Sequence, residues 1–261
     1  MTESGTYISA DYLTKVTDMG KHIKQRSYDC LAIEEGNKVL DIGCGSGIDT
    51  VALAKVNSKK CKFYGIDIDG EMLKEADALA EEYDVSEQTS HQLGDVCELP
   101  FEDSMFDGVR AERLFQVLPA FLQPHEILKE ILRVLKPGGR IVVIDTDWSS
   151  ASVDFPNLEL ERRMMAFFTR YLRSNGVAGR QIYGWFKHCN IENVTTNIFP
   201  LVQHEFSSTP FGEWLKAESV KSGIISNEEA SDWFQELSML EKLGEFYSCV
   251  NMVMVSGRKR N

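Results

Sequence analysis

Three glycines at every second position, Gly43, Gly45 and Gly47, are the residues best suited to shape a ligand site in this chain. They follow the apolar run Val39-Leu40-Asp41-Ile42 and lead into Ile48-Asp49-Thr50. Glycine lets a ligand lie on the backbone where a side chain would block it, and it permits a tight turn from strand to helix. Amides at the start of that helix offer donors to a ligand carboxylate or hydroxyl. Asp67, in Gly65-Ile66-Asp67-Ile68-Asp69, falls at the tip of the next strand. A carboxylate there can accept from both hydroxyls of a ribose. Asp69, ahead of Gly70-Glu71-Met72, fits a helix N-cap better. A dinucleotide loop would need glycine where the chain has Ile48, and a triphosphate loop needs Gly-Lys-Ser/Thr, which is absent. The chemistry these residues suit is therefore the binding of a nucleoside-like ligand without a diphosphate.

Strands and helices in alternation must hold these groups in place. Strands are expected at Lys38–Ile42, Lys62–Asp67, Thr89–Leu93, Phe106–Glu112 and Arg140–Asp145. Helices are expected between them at Ile48–Val56, Glu71–Tyr83 and His125–Leu135. Lys136-Pro137-Gly138-Gly139 should stop the last of these and turn the chain into Ile141-Val142-Val143-Ile144. This order implies an α/β fold, a parallel sheet covered by helices on both faces. A helix over about 10–28 precedes the first strand. After Asp145 come helices at Asn157–Leu172, Arg180–His188, Pro210–Lys221 and Asn227–Leu243, with strands at Val194–Val202 and Cys249–Val255. The two late strands fit an antiparallel edge. The organisation expected is a helical lid segment at 1–36, a ligand-binding core at 37–148, and a helical cap with two strands at 149–261 completing the same domain.

A chain of 261 residues suits one large α/β domain with embellishments. Its net charge of -12 repels a polyanion at long range, which argues against a nucleic-acid partner. The one basic cluster, Arg258-Lys259-Arg260, reads as a solvated tail. No apolar run is long enough to span a bilayer and the first residues do not resemble a secretion signal, so a cytoplasmic protein is expected. The six cysteines are scattered without metal-ligand spacing, which suits reduced thiols and no metal; Cys44 lies inside the glycine loop.

Four co-linear stretches, VLDIGCGSG from Val39, GIDID from Gly65, GDVCELPFEDSMFDGV from Gly94 and RVLKPGGRIVVID from Arg133, resemble the class I S-adenosylmethionine (SAM)-dependent methyltransferases of the UbiE-like type. The match covers roughly residues 37–147. The resemblance implies a Rossmann-like, seven-stranded, mostly parallel sheet with helices on both faces, an antiparallel C-terminal hairpin and helical cap or lid elements. It also implies methyl transfer from SAM, which leaves S-adenosylhomocysteine, to a small-molecule acceptor. Carried onto this chain, it puts the backbone of Gly43, Cys44 and Gly45 beside the methionine part of SAM, with Asp41 ordering the loop. Asp67 would hold the ribose and Ile68 would lie on the adenine. Asp95 would accept from the adenine amino group, with the Val96 amide on the ring. Glu112 and Arg113 would approach the amino-acid end, and Arg26 would pair with the SAM carboxylate.

Methyl transfer from a sulfonium is an in-line displacement in which positioning can supply about 7–11 kcal/mol, so a catalytic side chain is optional. A base adds about 10²–10⁴-fold where the acceptor must lose a proton. Candidates are Glu112 after the fourth strand, Asp147 after the fifth, and His22 on the N-terminal helix that could close over SAM. Asp145 and Trp148 share the Asp147 segment, where a capping Asp and a core Trp are equally good readings. Aromatic and Met residues (Tyr7, Tyr12, Met164, Phe168 and Trp214 among them) fit packing surface or an apolar acceptor pocket, with Tyr7–Tyr12 as part of a lid. A protein or RNA methyltransferase and a non-catalytic SAM-binding protein are the alternatives, and the cap offers a homodimer surface.

Overall fold

A computed structural model describes residues 20–261. The strands are β1 (Lys38–Ile42), β2 (Lys62–Asp67), β3 (Thr89–Leu93), β4 (Phe106–Glu112), β5 (Leu135–Val153), β6 (Glu192–Gln203) and β7 (Ser248–Arg258). The helices are α1 (Lys21–Leu31), α2 (Ile48–Val56), α3 (Gly70–Glu82), α4 (Pro124–Val134), α5 (Leu158–Tyr171), α6 (Ala178–His188), α7 (Glu213–Lys221) and α8 (Asn227–Leu243). They form one seven-stranded sheet in the order β3-β2-β1-β4-β5-β7-β6. The first five strands run parallel, and β7 lies antiparallel between β5 and β6. The strand order reverses between β1 and β4, and a sheet of this kind opens its ligand crevice at the C-terminal ends of the strands flanking such a reversal.

Local chemistry explains the elements. In α4, Ile127, Leu128, Ile131 and Val134 are buried, a stripe at helical spacing that packs on the sheet, and Pro124 occupies the first turn where its missing N–H costs nothing. The Asp69 side chain accepts from the Glu71 and Met72 amides and starts α3, the cap expected of it. Ser226 and Glu229 form a reciprocal capping box on α8. One face of the sheet buries Leu40, Val109, Ile141 and Val143 under α4 and α6. The other buries Val39, Phe63, Val142 and Ile144 with residues of α1 and α2.

The sheet departs from expectation around β5. Lys136-Pro137-Gly138-Gly139 does not separate helix from strand, because β5 already pairs through Leu135 with Phe106. Gly138 takes a φ of +71°, and the Gly138 and Lys259 amides donate to the Lys259 and Gly139 carbonyls, so residues near the chain's end hold the corner inside the strand. Nor does β5 stop at Asp145. It runs on to Val153, with a register shift against β7 between Asp147 and Ser152, and so carries the chain out of the sheet into the cap. There Trp148, Phe155, Met164, Phe168, Phe206, Phe211, Leu215, Trp233 and Phe246 close a second apolar cluster. The expected N-terminal helix is seen as Lys21–Leu31; its earlier part, with Tyr7 and Tyr12, lies outside the described residues.

Candidate functional site

The β1–α2 loop takes the backbone that only glycine adopts without strain, with φ of +71°, +51° and +73° at Gly43, Gly45 and Gly47. The Gly43 and Cys44 amides donate to the Ile66 carbonyl, which ties the loop to β2. Side chains added at Gly43 or Gly47 would meet Leu114 Cδ1 at 3.3 Å or Ala76 Cβ at 2.6 Å, whereas one at Gly45 would meet nothing within 4 Å. The loop is thus packed at two glycines and open at the third.

Asp67 at the tip of β2 accepts from the Gly45 amide through Oδ2 (2.8 Å) and from the Asp69 amide through Oδ1 (3.1 Å). Each oxygen keeps a lone pair for a further donor. Ile68 beside it is 78% exposed, an apolar surface next to a carboxylate. Beyond β3, Asp95 is exposed and its Oδ1 accepts from the Cys97 amide, while Val96 is buried.

Below the loop lies a buried ionic network that joins α1, β1, α2 and β4. Arg110, in the middle of β4, is 1% exposed. Asp41 is its cross-strand neighbour on β1 and accepts from Nη1 at 3.0 Å, and Glu112 accepts from Nη2. Asp49 at the start of α2 lies 3.2 Å from Nη2 and also takes Lys24 Nζ at 2.5 Å and the Tyr28 hydroxyl. Lys24 lies 3.4 Å from Glu112 as well, and Ser27 Oγ accepts from Arg110 Nε. Three carboxylates therefore face three cations, since Arg113 Nε also lies 3.6 Å from Glu112 Oε1. Burial pushes Asp41 up to about 7 against the pull of Arg110. Burial also opposes the charges of Asp49 and Glu112, but Arg110 and Lys24 outweigh it, holding Asp49 at about 2 and Glu112 below the usual range. Burial, then Asp49, raises the Tyr28 hydroxyl, which stays a donor. Burial likewise raises the Cys44 thiol, so it is no nucleophile.

Arg113, at the end of β4, has a φ of +54°, rare for a side chain of its size; its amide donates to the Ile144 carbonyl and its side chain is 30% exposed. Asp145 and Asp147 follow on β5 but project to the other face from Glu112, among residues flanked by α6. Asp145 is closed to solvent; its oxygens accept from the Gln116 and Thr146 amides, and burial pushes it up to about 7. Asp147 Oδ2 accepts from Arg180, and Oδ1 is buried without a partner among the described residues. Trp148 is a cap residue whose Nε1 donates to Gln116 Oε1 at 2.6 Å. The three acid–base candidates do not converge. Glu112 lies in the ionic network, Asp147 lies across the sheet, and His22 stands edge-on to Phe199 of β6, four strands from β1.

Arg26 is a correction. It lines a cleft of about 260 Å³ with Arg140 and Arg258, where the regular pairing of β5 begins, at the opposite end of the sheet from the glycine loop. Helix α1 does bring a cation to the loop, but from another of its faces and as Lys24. Residue reading missed Lys24, Asp49 and Arg110. The signal available for Arg110 was a cation inside a central strand, Phe106–Glu112, which buried must find carboxylates.

Comparison with known proteins gives concordant matches. Residues 33–206 match the model of a family described as a methyltransferase domain. A 37.1 kDa protein of a Streptomyces fradiae transposon is 36% identical over 69% of this chain and 51% of its own length. The demethylmenaquinone methyltransferase of Bacillus subtilis is 33% identical over 54% of this chain and 59% of its own length. The chain thus spans between half and two thirds of these relatives. Among solved structures, the YcgJ protein of Bacillus subtilis superposes with a TM-score of 0.64 at 20% identity, covering 92% of this chain and 99% of that one, and so shares the fold.

Proposed function

We propose, from the premise that the chain belongs to the methyltransferase-domain family, that it transfers a methyl group from SAM to a small-molecule acceptor. The observation that carries this reading is the glycine loop, open at Gly45 and tied to Asp67, above a largely buried ionic network. SAM carries a ribose, and Asp67, with a lone pair left on each oxygen beside the open loop, suits its hydroxyls. When bound, SAM would supply an electrophilic methyl carbon, with the sulfur of S-adenosylhomocysteine as the group that leaves in line as the acceptor bonds to that carbon. Asp67 accepts from the ribose hydroxyls, Ile68 lies on the adenine, and the Asp95 carboxylate and Val96 amide meet its edge. Gly43, Cys44 and Gly45 line the amino-acid end, close to Glu112 and Arg113.

Glu112 serves this reading as a fixed anion on the cofactor side, because Arg110 and Lys24, both on Oε2, hold it ionised, and Arg113 Nε lies 3.6 Å from Oε1. Asp147 faces Arg180. Positioning therefore supplies most of the acceleration, on the order of 7–11 kcal/mol, and the acceptor fits best as a group that is already nucleophilic. A small acceptor agrees with the net charge of -12 and with the relative that methylates demethylmenaquinone. Cytoplasmic action fits six cysteines that are all free thiols.

The test is transfer of labelled methyl from SAM into a metabolite extract, compared with bulk protein and RNA. Label should enter the small-molecule fraction; label in protein or RNA alone would move the acceptor to a macromolecule. In parallel, Asp67→Ala should weaken SAM roughly 10- to 100-fold by calorimetry, the loss of hydrogen bonds to a charged acceptor. An unchanged affinity removes the ribose role.

A further inference from the structure

Behind the glycine loop, on the side away from the ionic network, lies a second chain of polar contacts that the methyl-transfer reading does not use. His91, on β3, has a side chain with no solvent exposure. Its Nδ1 lies 2.9 Å from Asp77 Oδ1 on α3, and its Nε2 lies 2.7 Å from the Thr50 hydroxyl on α2. Thr50 Oγ1 in turn lies 2.9 Å from the Gly47 carbonyl, where the loop becomes α2. The ring also fills the hollow under the loop. A side chain at Gly47 would meet His91 Nε2 at 3.1 Å, and one at Gly65 would meet His91 Cδ2 and Cys44 Sγ, each at 2.7 Å. Gly47 of the loop and Gly65 of β2 are thus glycine partly because an imidazole stands behind them.

We propose that His91 is a positioning residue for the cofactor-binding loop: oriented by Asp77, it acts through the Thr50 hydroxyl on the Gly47 carbonyl and so holds the turn at which the loop becomes α2. The inference rests on the reading of that loop as the SAM-binding element. Counting protons gives the mechanism. The Thr50 hydroxyl has one hydrogen to donate, and a ring nitrogen donates or accepts but not both. In the imidazolium, Nδ1–H donates to Asp77 and Nε2–H donates to Thr50, whose own hydrogen is free for the Gly47 carbonyl, so every contact is satisfied at once. In the neutral ring that keeps Nδ1–H on Asp77, Nε2 must accept from Thr50. The Gly47 carbonyl then keeps only the Val51 amide, 3.0 Å away. The other neutral tautomer would set a lone pair against the Asp77 carboxylate. The ring's proton therefore decides which way the Thr50 hydroxyl points and whether the last loop carbonyl is held twice or once.

The titratable groups facing the ring are Asp77 from α3 and the Cys44 thiol from the loop. Asp67 and Asp41 act on that thiol from further off. Burial first, and then those carboxylates, keep Cys44 protonated, so Asp77 is the charge that matters to His91. Asp77 is 63% exposed, which leaves solvent a route to the proton.

The test needs no cofactor for its first arm. The amide resonances of Gly45 and Gly47 are compared by NMR at one pH in the wild type, His91→Gln, Thr50→Val and Thr50→Ser. Thr50→Val, which replaces the hydroxyl by a methyl, should displace both amides, His91→Gln should displace them the same way, and Thr50→Ser should restore the wild-type positions. Amides unmoved in Thr50→Val, or not restored in Thr50→Ser, overturn the proposal. The second arm measures SAM by calorimetry, where Thr50→Val should bind at least fivefold more weakly than Thr50→Ser; equal affinities also overturn it. If the wild type binds no SAM while the amides still answer to Thr50, the ligand reading fails and the relay stands.

Discussion

The ionic network under the glycine loop and the aromatic cluster of the cap are both largely buried, and both join segments far apart in sequence. The first gathers Lys24, Tyr28, Asp41, Asp49, Arg110 and Glu112; the second packs Trp148, Met164, Phe168, Phe211, Trp233 and Phe246. Their tolerance of change differs for a physical reason. An apolar cluster loses the transfer energy of the atoms removed, plus a term for the hole left behind. A buried ion cluster loses little when replaced whole, but strands uncompensated charge when one member goes. The network is accordingly the more brittle of the two and the more responsive to pH, while the cap gives mass and shape.

The sharpest way to break this contrast is Arg110→Met, which takes from Asp41 its hydrogen-bonded cation and leaves Asp49 and Glu112 to Lys24 and Arg113. A loss of about 3–5 kcal/mol in urea unfolding is expected, as for a buried pair that loses one partner. Met164→Ala, in the cap and fully buried, should cost about 2–4 kcal/mol by the same assay, with SAM affinity within about twofold of the wild type. A cap variant that binds SAM as badly as it folds would erase the distinction between the regions. The smallest expected effect is the most diagnostic. Burial holds a proton on Asp41 up to about pH 7, and a cation bound beside it favours the ionised form. SAM affinity should therefore rise as pH climbs through about 7, by at most about tenfold for each pKa unit the cation removes, and Asp41→Asn should flatten the profile. Stability moves the other way. The folded chain keeps a proton that the unfolded chain releases near pH 3.8, so the contribution of Asp41 is complete below that value and is lost as pH rises to about 7. Asp145 follows the same stability trend from the opposite face, so Asp145→Asn should leave the binding profile alone.

The same contrast marks what could be read before folding. The bounds of β1, β2 and β4 follow directly from apolar runs closed by glycine and polar residues, and the Asp69 cap from its place ahead of α3. The extra length of β5 could not be read that way, because Trp148-Ser149-Ser150-Ala151 is held by distant partners: the Gly176 carbonyl takes the Trp148 amide, the Asn251 amide of β7 donates to Ser150 Oγ, and pairing with β7 resumes at Ser152. Periodicity places Lys24 and Arg26 on one helix but does not say which face meets a carboxylate; that needed Asp49 and Glu112 to arrive from two other elements. His91 carried no local mark at all, since Asp77 and Thr50 become its neighbours only when α2, α3 and β3 are assembled. Apolar pattern reports a face, whereas a polar partnership is a property of the finished packing.

The placing of β7 has a consequence for the nascent chain. Among the described strands it is made last, yet it sits between β5 and β6 and pairs with both. Until residues 248–258 leave the ribosome, β5 offers a bare flank carrying Ile141, Val142, Val143 and Ile144, all wholly or almost wholly buried in the finished protein, and β6 has nothing to pair with. Synthesis at about 5–20 residues per second leaves that seam open for several seconds. It is the window in which a second nascent chain, or a chaperone, would meet this sheet.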